Sequence, residues 1–131
     1  MLQYQAPEQD IEFLLFNLFS VQDHWAKIPA LADVSEELAR AVISEAGRVA
    51  AEVMAPTNQT GDEVGCSWEN GVVTTPPGFK AAFDEMAGGG WLGLSGNPAY
   101  DGQGMPKVLG CVIEEMFWAA NTSLYLYGTL T

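Results

Sequence analysis

The feature that most constrains the fold is a helical stripe of apolar residues between positions 35 and 54. These residues recur at spacings of three and four: Leu38, Val42, Ala46, Val49 and Val53. Such spacing places the side chains on one face of an α-helix, which must bury that face against another element. The expected N-cap is Asp33 or Ser35, because their side-chain oxygens can accept a hydrogen bond from the first turn. Pro56 is expected to end this helix.

Three further helices are predicted, near residues 7–19, 78–87 and 107–120. The first of them is apolar nearly all the way round, which predicts neighbours on more than one side. The glycines at 88–90 are expected to stop the second of them. The predicted fold class is therefore mainly α.

The segment from Thr57 to Pro77 has the composition of a loop. Within it, the Asn70-Gly71 pair favours a tight two-residue turn between short extended pieces. The extended pieces would be Val64 to Trp68 and Val72 to Thr75, and either a small hairpin or an irregular loop would satisfy this pattern. We therefore expect little β-structure beyond that hairpin.

The length, composition and charge of the chain limit the classes of protein to which it can belong. At 131 residues the chain is long enough for one domain with a buried core. Hydrophobic residues make up 48% and charged residues 17%, which excludes intrinsic disorder. The formal net charge of −12 repels phosphate groups, and so argues against a nucleic-acid-binding protein or one held on anionic lipid.

No targeting segment or membrane span is predicted. Glu8, Asp10 and Glu12 stand where a secretory signal needs basic residues, and the apolar run that follows is far too short to span a bilayer. The cysteines, Cys66 and Cys111, have neither disulfide nor metal-ligand spacing. We therefore expect two free, buried thiols and a cytoplasmic protein without a bound metal.

The residues that could carry catalysis give only weak signals. Glu114 and Glu115 are adjacent in a predicted helix, so their side chains point about 100° apart and cannot act together on one substrate. A solvated or salt-bridged helix face is favoured over general acid–base chemistry at this pair. The single histidine, His24, has no neighbouring ligand or triad partner in the sequence.

Two glycine-rich segments do not match nucleotide-binding motifs. Gly102-Gln103-Gly104 lacks the third glycine and the preceding buried strand of a dinucleotide fingerprint. The glycines at 88–90 lack the lysine and hydroxyl residue that complete a P-loop. From the residues alone, neither segment predicts a phosphate site.

The last part of the chain is apolar and carries no charge from Ser123 to Thr131. The sequence stops there without a capping residue or a solvating tail, which is typical of a chain cut from something longer. The aromatic and aliphatic side chains of residues 117–131 are therefore expected to form an exposed apolar patch, or to be covered by another copy of the chain.

The second half of the chain contains four motifs in a fixed order. They are Trp91-Leu92-Gly93-Leu94, Pro98-x-Tyr100-Asp101-Gly102-Gln103-Gly104-Met105-Pro106, Glu114-Glu115-Met116 and Asn121-Thr122-Ser123-Leu124. This set resembles the N-terminal helical domain of the flavin-dependent acyl-CoA dehydrogenases. Two earlier segments are similar to the long bacterial members of that family: Tyr4-x-Ala6-Pro7 and Trp68-Glu69-Asn70-Gly71. The resemblance covers essentially the whole chain.

The resemblance implies that the chain is divided into two parts. Residues 35–131 would form the N-terminal helical domain, apparently truncated before a β-barrel domain, and residues 1–34 an extension helix with its connection. The complete enzyme would use FAD to oxidise acyl-CoA thioesters to 2-enoyl-CoA, as in β-oxidation.

The resemblance also implies the roles of individual residues. The family's catalytic base and flavin-contacting segments lie in later parts of its chains, so no catalytic or cofactor-binding residue is expected here. The family's acyl-tail pocket carries over by position to Leu124, Tyr125 and Gly128 as substrate-binding residues.

Two functional hypotheses follow. The chain is either the N-terminal portion of an acyl-CoA dehydrogenase, inactive and without FAD when alone, or a freestanding acidic helical module or split-gene subunit without catalysis. For the first, the family implies acyl-CoA, electron-transferring flavoprotein and further copies in a homo-oligomer as partners. The gene sequence after Thr131 discriminates between the two, because it holds either the rest of a dehydrogenase or a stop codon.

Overall fold

The computed structural model describes residues 3–130, and the chain is built mainly from helices. The α-helices and strands are, in chain order, α1 Glu8–Glu12, α2 Val21–Trp25, α3 Glu36–Arg48, α4 Asn58–Val64, β1 Ser67–Glu69, β2 Val72–Thr74, α5 Phe79–Gly88, α6 Lys107–Ala120 and α7 Thr122–Thr129. Two π-helical turns extend α1 and α3: Phe13–Leu18 and Val49–Met54. Short 3-10 turns lie in the connections: Pro29–Leu31, Ala55–Thr57, Trp91–Gly93 and Pro98–Tyr100. The predicted mainly α fold class is confirmed.

Helix α3 begins at a side-chain cap. The Oγ atom of Ser35 accepts a hydrogen bond from the backbone N–H of Leu38 at 3.1 Å, so Ser35 rather than Asp33 is the N-cap. One turn later, Arg40 pairs with Glu36 of the same helix and with Glu12 of α1. The cap therefore fixes where α3 starts, and Arg40 ties α1 to it.

The buried face of α3 is rotated from the predicted stripe. The residues of this helix and its π-helical extension with no exposed surface are Ala39, Ile43, Ala46, Ala50 and Met54. Leu38 is 39% exposed, and Val42 and Val53 are only half-buried. The prediction was therefore wrong for Leu38, whereas Val42 and Val53 pack at the edge of the core and Ala46 and Val49 are buried as predicted.

The sequence predicts that Pro56 ends the helical path. In the structure the path continues beyond Pro56. The chain passes through the 3-10 turn Ala55–Thr57, which contains Pro56, and continues directly into α4. Proline is tolerated there because the first turn of a helix leaves its N–H groups without partners inside the helix. The hydroxyl of Thr57 donates a hydrogen bond to the carbonyl oxygen of Met54 at 2.7 Å, which stabilises the junction. Part of the segment predicted as a loop is therefore helical.

Helix α7 was not predicted either, and it changes the interpretation of the apolar chain end. It begins at Asn121, whose Oδ1 atom accepts a hydrogen bond from the N–H of Leu124 at 3.0 Å. Phe117, Leu124 and Tyr125 are at most 3% exposed, because α7 packs against α5 and α6. Tyr127 and Leu130 are 48% and 77% exposed, so within the described residues the predicted exposed patch of residues 117–131 is reduced to these two large side chains. Cover by another copy of the chain stays a prediction, and Thr131 lies outside the described residues.

The hairpin is present and short. Strands β1 and β2 pair antiparallel, with Ser67 opposite Thr74 and Glu69 opposite Val72. Asn70 and Gly71 both have positive φ values, 50° and 82°, as a tight two-residue hairpin turn requires. The predicted Asn-Gly turn is confirmed, although the strands are shorter than the predicted extended pieces.

The core lies where α3, α5, α6 and α7 meet. Phe117 is fully buried there and packs edge to face on Trp91 and Tyr125, with ring centroids 5.7 and 5.5 Å apart. Trp118 packs on Tyr125 in the same manner at 5.1 Å. Burial raises the pKa of Tyr125 to about 12, with a smaller contribution in the same direction from the Glu114 carboxylate.

The first helical segment is covered on one side only. Ile11, Leu15 and Phe16 are buried, whereas the following large apolar side chains are exposed: Phe13, Leu14, Leu18 and Phe19. The prediction of neighbours on more than one side is thus not met within residues 3–130. Within those same residues, no helix has the length and apolar character needed to cross a membrane.

Replacing the N-cap residue Ser35 should lower the stability of the fold, whereas replacing Asp33, which does not cap α3, should not. Ser35→Ala removes the acceptor for the Leu38 N–H, and should lower the free energy of unfolding by about 1 kcal/mol. Asp33→Ala serves as the matched control and should change it by less than about 0.5 kcal/mol. Urea unfolding of the two variants measures both values. Equal losses, or a larger loss for Asp33→Ala, would contradict Ser35 as the cap.

Tyr125 should make stability fall in alkaline solution. Its pKa is about 12 in the folded chain against the ordinary 10.0, so above about pH 10 the unfolded chain binds fewer protons at this residue than the folded chain does. The contribution of Tyr125 to the free energy of unfolding is fully present below pH 10 and is lost as the pH rises toward 12. Tyr125→Phe should therefore flatten the decline in unfolding free energy between about pH 9 and 11.

The control for this pH dependence is Tyr100→Phe, because Tyr100 is 84% exposed. Chemical unfolding at a series of pH values should give Tyr100→Phe the same decline as the wild-type chain. An undiminished decline in Tyr125→Phe would show that burial of Tyr125 does not cause it.

Candidate functional site

One face of α7 borders an apolar cavity of about 330 Å³ between α5 and α7. Its lining is Thr75, Phe79, Lys80, Phe83, Leu124 and Tyr127. Leu124 and Tyr127 are three residues apart and so share a face of α7. The rings of Phe79 and Tyr127 pack edge to face with centroids 6.0 Å apart. We call this space the alkyl cavity, because its walls are mostly hydrocarbon and suit an apolar group.

A neighbouring face of α7 borders a second cavity of about 450 Å³. Its lining includes Trp91, Lys107, Glu114, Trp118, Tyr125 and Gly128. A carboxylate, an ammonium group and a phenol thus share this space with aromatic rings, and we call it the mixed cavity. At Gly128 a Cβ atom would lie 2.7 Å from Cδ2 of Leu92, so the helix packs closely on the turn that carries Leu92.

The substrate residues predicted from the sequence lie on two sides of one helix. Leu124 lines the alkyl cavity, whereas Tyr125 and Gly128 line the mixed cavity. The structure therefore does not bring the three together in one space. Sequence reasoning missed Phe79 and Phe83, although their spacing of four in a predicted helix signals a shared apolar face.

Tyr127, which lines the alkyl cavity, contacts Cys66. The Tyr127 hydroxyl lies 3.2 Å from the Cys66 Sγ atom, and this hydrogen bond is the main cause that raises the pKa of Tyr127. Both Cys66 and Cys111 are free, as predicted, but both are exposed, so the prediction of buried thiols was wrong. Cys66 lies in the connection before β1, and Cys111 lies between the buried positions Gly110 and Ile113 on the outer side of α6.

The acidic pair on α6 is solvated. Glu114 and Glu115 are both exposed, in agreement with the favoured interpretation of a solvated helix face. Glu114 nevertheless contributes its carboxylate to the mixed cavity. His24 is exposed at the end of α2, and residues 3–130 contain no cluster of three or more potential metal-binding side chains.

The glycine-rich loop before α6 does not fit the phosphate groups of a flavin. Such groups need free backbone N–H donors or cations. The N–H groups of residues 102–105 instead donate to carbonyl oxygens of this same loop region, at distances between 2.9 and 3.1 Å: Gly102 to Asn97, Gln103 to Gly93, Gly104 to Gly96 and Met105 to Leu94. This loop closes on itself and offers none of these donors to a ligand.

The arginines are committed to carboxylates. Arg40 binds Glu12 and Glu36, and the hydrogen bond to Glu36 is the main cause that raises its pKa. Arg48 binds Glu45 and Glu52, and its hydrogen bond lowers the pKa of Glu45. These residues stabilise helix surfaces away from both cavities. Among residues 3–130 we therefore find no group of cations that fits a flavin pyrophosphate.

Comparison with known proteins identifies one clear relative. No protein-family model matches the chain. A 3-methylmercaptopropionyl-CoA dehydrogenase of Ruegeria pomeroyi is 39% identical over 133 aligned residues, which cover 99% of this chain. The same alignment covers 22% of that relative, so the chain spans about a fifth of the relative's length. The resemblance to an acyl-CoA dehydrogenase that the sequence motifs indicate is thereby confirmed over nearly the whole of this chain.

Proposed function

We propose that this chain is the N-terminal portion of an acyl-CoA dehydrogenase that uses FAD to oxidise acyl-CoA thioesters to 2-enoyl-CoA. The observation that carries the proposal is the 39% identity to a 3-methylmercaptopropionyl-CoA dehydrogenase over 99% of the chain. In this proposal residues 35–131 form the N-terminal helical domain, and residues 1–34 form an extension that packs on it through Arg40 and Glu12.

Helix α7 contributes a wall of the acyl-tail pocket in this proposal. The alkyl cavity supports it, because Leu124 there faces Phe79 and Phe83 across a space lined mostly by hydrocarbon. An acyl tail gains about 0.8 kcal/mol for each methylene that it buries in such surroundings. Tyr125 and Gly128 belong to the same wall from the side of the mixed cavity, where they would limit how far the helix can move.

Residues 3–130 contribute neither the flavin site nor the group that removes the α-proton of the substrate. The loop amides of residues 102–105 and the arginines are already paired within the chain, which does not fit a flavin pyrophosphate. We therefore assign FAD binding and proton abstraction to other parts of the complete enzyme. The chain alone is then inactive.

The family resemblance supports three partners for the complete enzyme. They are the acyl-CoA substrate, an electron-transferring flavoprotein that accepts the electrons, and further copies in a homo-oligomer. The protein acts in the cytoplasm in this proposal. The acidic surface, with a net charge of −12, favours basic over acidic surfaces for any protein that docks here.

The alkyl cavity should set how well long acyl tails are oxidised by the full-length protein. Phe83→Trp enlarges a wall residue of this cavity, and should lower kcat/KM for long-chain acyl-CoA by at least about tenfold more than for short-chain acyl-CoA, because about two methylenes lose their space. Reduction of a dye acceptor with an acyl-CoA series, including 3-methylmercaptopropionyl-CoA, measures this.

Lys107→Gln is the matched variant on the mixed cavity, because Lys107 lines that cavity from α6, and it should leave the ratio of long-chain to short-chain kcat/KM nearly unchanged. A change of the ratio in Lys107→Gln alone would move the tail to the mixed cavity. If neither variant changes the ratio, α7 is not a wall of the tail pocket. A wild-type protein that oxidises no acyl-CoA would contradict the proposed function itself.

The chain of residues 1–131 alone should bind no FAD. Within residues 3–130, the amides of the 102–105 loop and both arginines are already paired and are not free to bind the pyrophosphate. Purified chain should be colourless, and adding it to FAD should leave the flavin fluorescence unchanged. Yellow protein, or saturable quenching of the fluorescence, would contradict the assignment of the flavin site to other parts of the enzyme.

A further inference from the structure

Asn121 is a buried amide at the junction between α6 and α7. It is 1% exposed, and a buried amide is unfavourable unless its polar atoms are hydrogen-bonded. Its Oδ1 atom accepts from the N–H of Leu124 at 3.0 Å, and its Nδ2 atom donates to Oγ1 of Thr57 at 2.9 Å. The second bond joins positions 64 residues apart in the chain.

Thr57 lies where three elements come together. Its hydroxyl accepts the bond from Asn121 and donates its own proton to the carbonyl oxygen of Met54 at 2.7 Å. Its Cγ2 atom lies 3.1 Å from the place of a Cβ atom on Gly78, the residue directly before α5. Thr57 therefore lies next to Gly78, at the start of α5, and is hydrogen-bonded through Asn121 to the start of α7.

These two helices form opposite walls of the alkyl cavity. Phe79 and Phe83 come from α5, and Leu124 and Tyr127 come from α7. Neither Thr57 nor Asn121 lines the cavity, so any influence that they have on a ligand must pass through the position of the helices. The N–H of Leu124, a wall residue, is bonded to the Asn121 side chain, which connects the link to the wall.

Helix α7 depends on this link because it is not a continuation of α6. Asn121 is extended, with φ −159° and ψ 92°, so the helical path is interrupted there. A helix of only eight residues takes its orientation from its cap and from its side-chain contacts. Loss of the bond to Thr57 would leave the buried Nδ2 atom without a partner, and α7 would shift to restore one.

We propose that the Asn121–Thr57 hydrogen bond sets the separation of α5 and α7, and thereby selects the length of acyl tail that the alkyl cavity accepts. This inference rests on the proposed function. Thr57 and Asn121 are positioning residues in this scheme, since they act through Leu124 and Gly78 and do not touch the tail.

The test uses Thr57→Val in the full-length protein, with Thr57→Ser as its matched control. Valine keeps the shape of threonine but removes the hydroxyl, whereas serine keeps the hydroxyl. Thr57→Val should change the ratio of long-chain to short-chain kcat/KM by about fivefold or more, the size of a typical hydrogen-bond effect. Thr57→Ser keeps the bond to Asn121 and loses only the Cγ2 atom beside Gly78, so it should change the ratio by no more than about twofold.

An unchanged ratio in folded Thr57→Val would overturn the proposal, as would an equal change in Thr57→Ser. If Thr57→Val does not fold, Asn121→Ser replaces it. Serine can still cap α7 but is too short to reach Thr57, so the ratio should change in the same direction. An unchanged ratio in Asn121→Ser would equally overturn the proposal.

Amide hydrogen exchange separates failure of this inference from failure of the proposed function. If wild-type protein oxidises no acyl-CoA, the proposed function is wrong, but the link remains testable by the exchange of the Leu124 and Tyr125 amides. Exchange there should be at least about fivefold faster in Thr57→Val than in Thr57→Ser, with α3 unchanged. Equal exchange in the two variants would show that the bond does not position α7.

Discussion

The fold depends on the packing of α3 and its π-helical extension against α6. Ala39, Ile43, Ala46, Ala50 and Met54 of this segment and Phe117 of α6 have no exposed surface, so they form the centre of the core. Close packing of this kind leaves little freedom in how the two helices lie against each other. Helices α5 and α7 pack on this pair, so the positions of both cavity walls depend on it.

Charge in this protein stabilises the helix surfaces rather than the cavities. Each arginine meets several carboxylates, as Arg40 does with Glu12 and Glu36. Exposed pairs of this kind contribute little individually, but Arg40 also joins two helices and lies 4.6 Å from the centre of the Phe16 ring. The uncharged α7 is left to pack by its apolar surface.

Local signals were sufficient to predict the long helices and the hairpin turn. A polar cap and apolar periodicity define α3, and the Asn70-Gly71 pair defines the turn, because both depend on residues close in sequence. The burial of Ala39, Ile43 and Ala50 in place of Leu38 could not be predicted in this way, since it depends on the elements that pack against α3 and its extension. The exposure of Cys66 and Cys111 likewise depends on which face of each element a neighbour covers.

The sequence predicts the candidate site as three residues, Leu124, Tyr125 and Gly128, but not that they border two separate cavities, because packing decides which cavity each residue lines. An uncharged run such as residues 123–131 is compatible with an interface, a buried helix or a pocket wall. Burial of Leu124 by α5 and of Tyr125 by α6 makes α7 a wall between two spaces, and neighbouring positions on a helix point about 100° apart. The family resemblance implies that both residues lie near a substrate, but motifs carry no information on which side the tail lies. In our proposal, the side of α7 on which the tail lies depends on contacts between residues far apart in the chain, such as the hydrogen bond between Asn121 and Thr57.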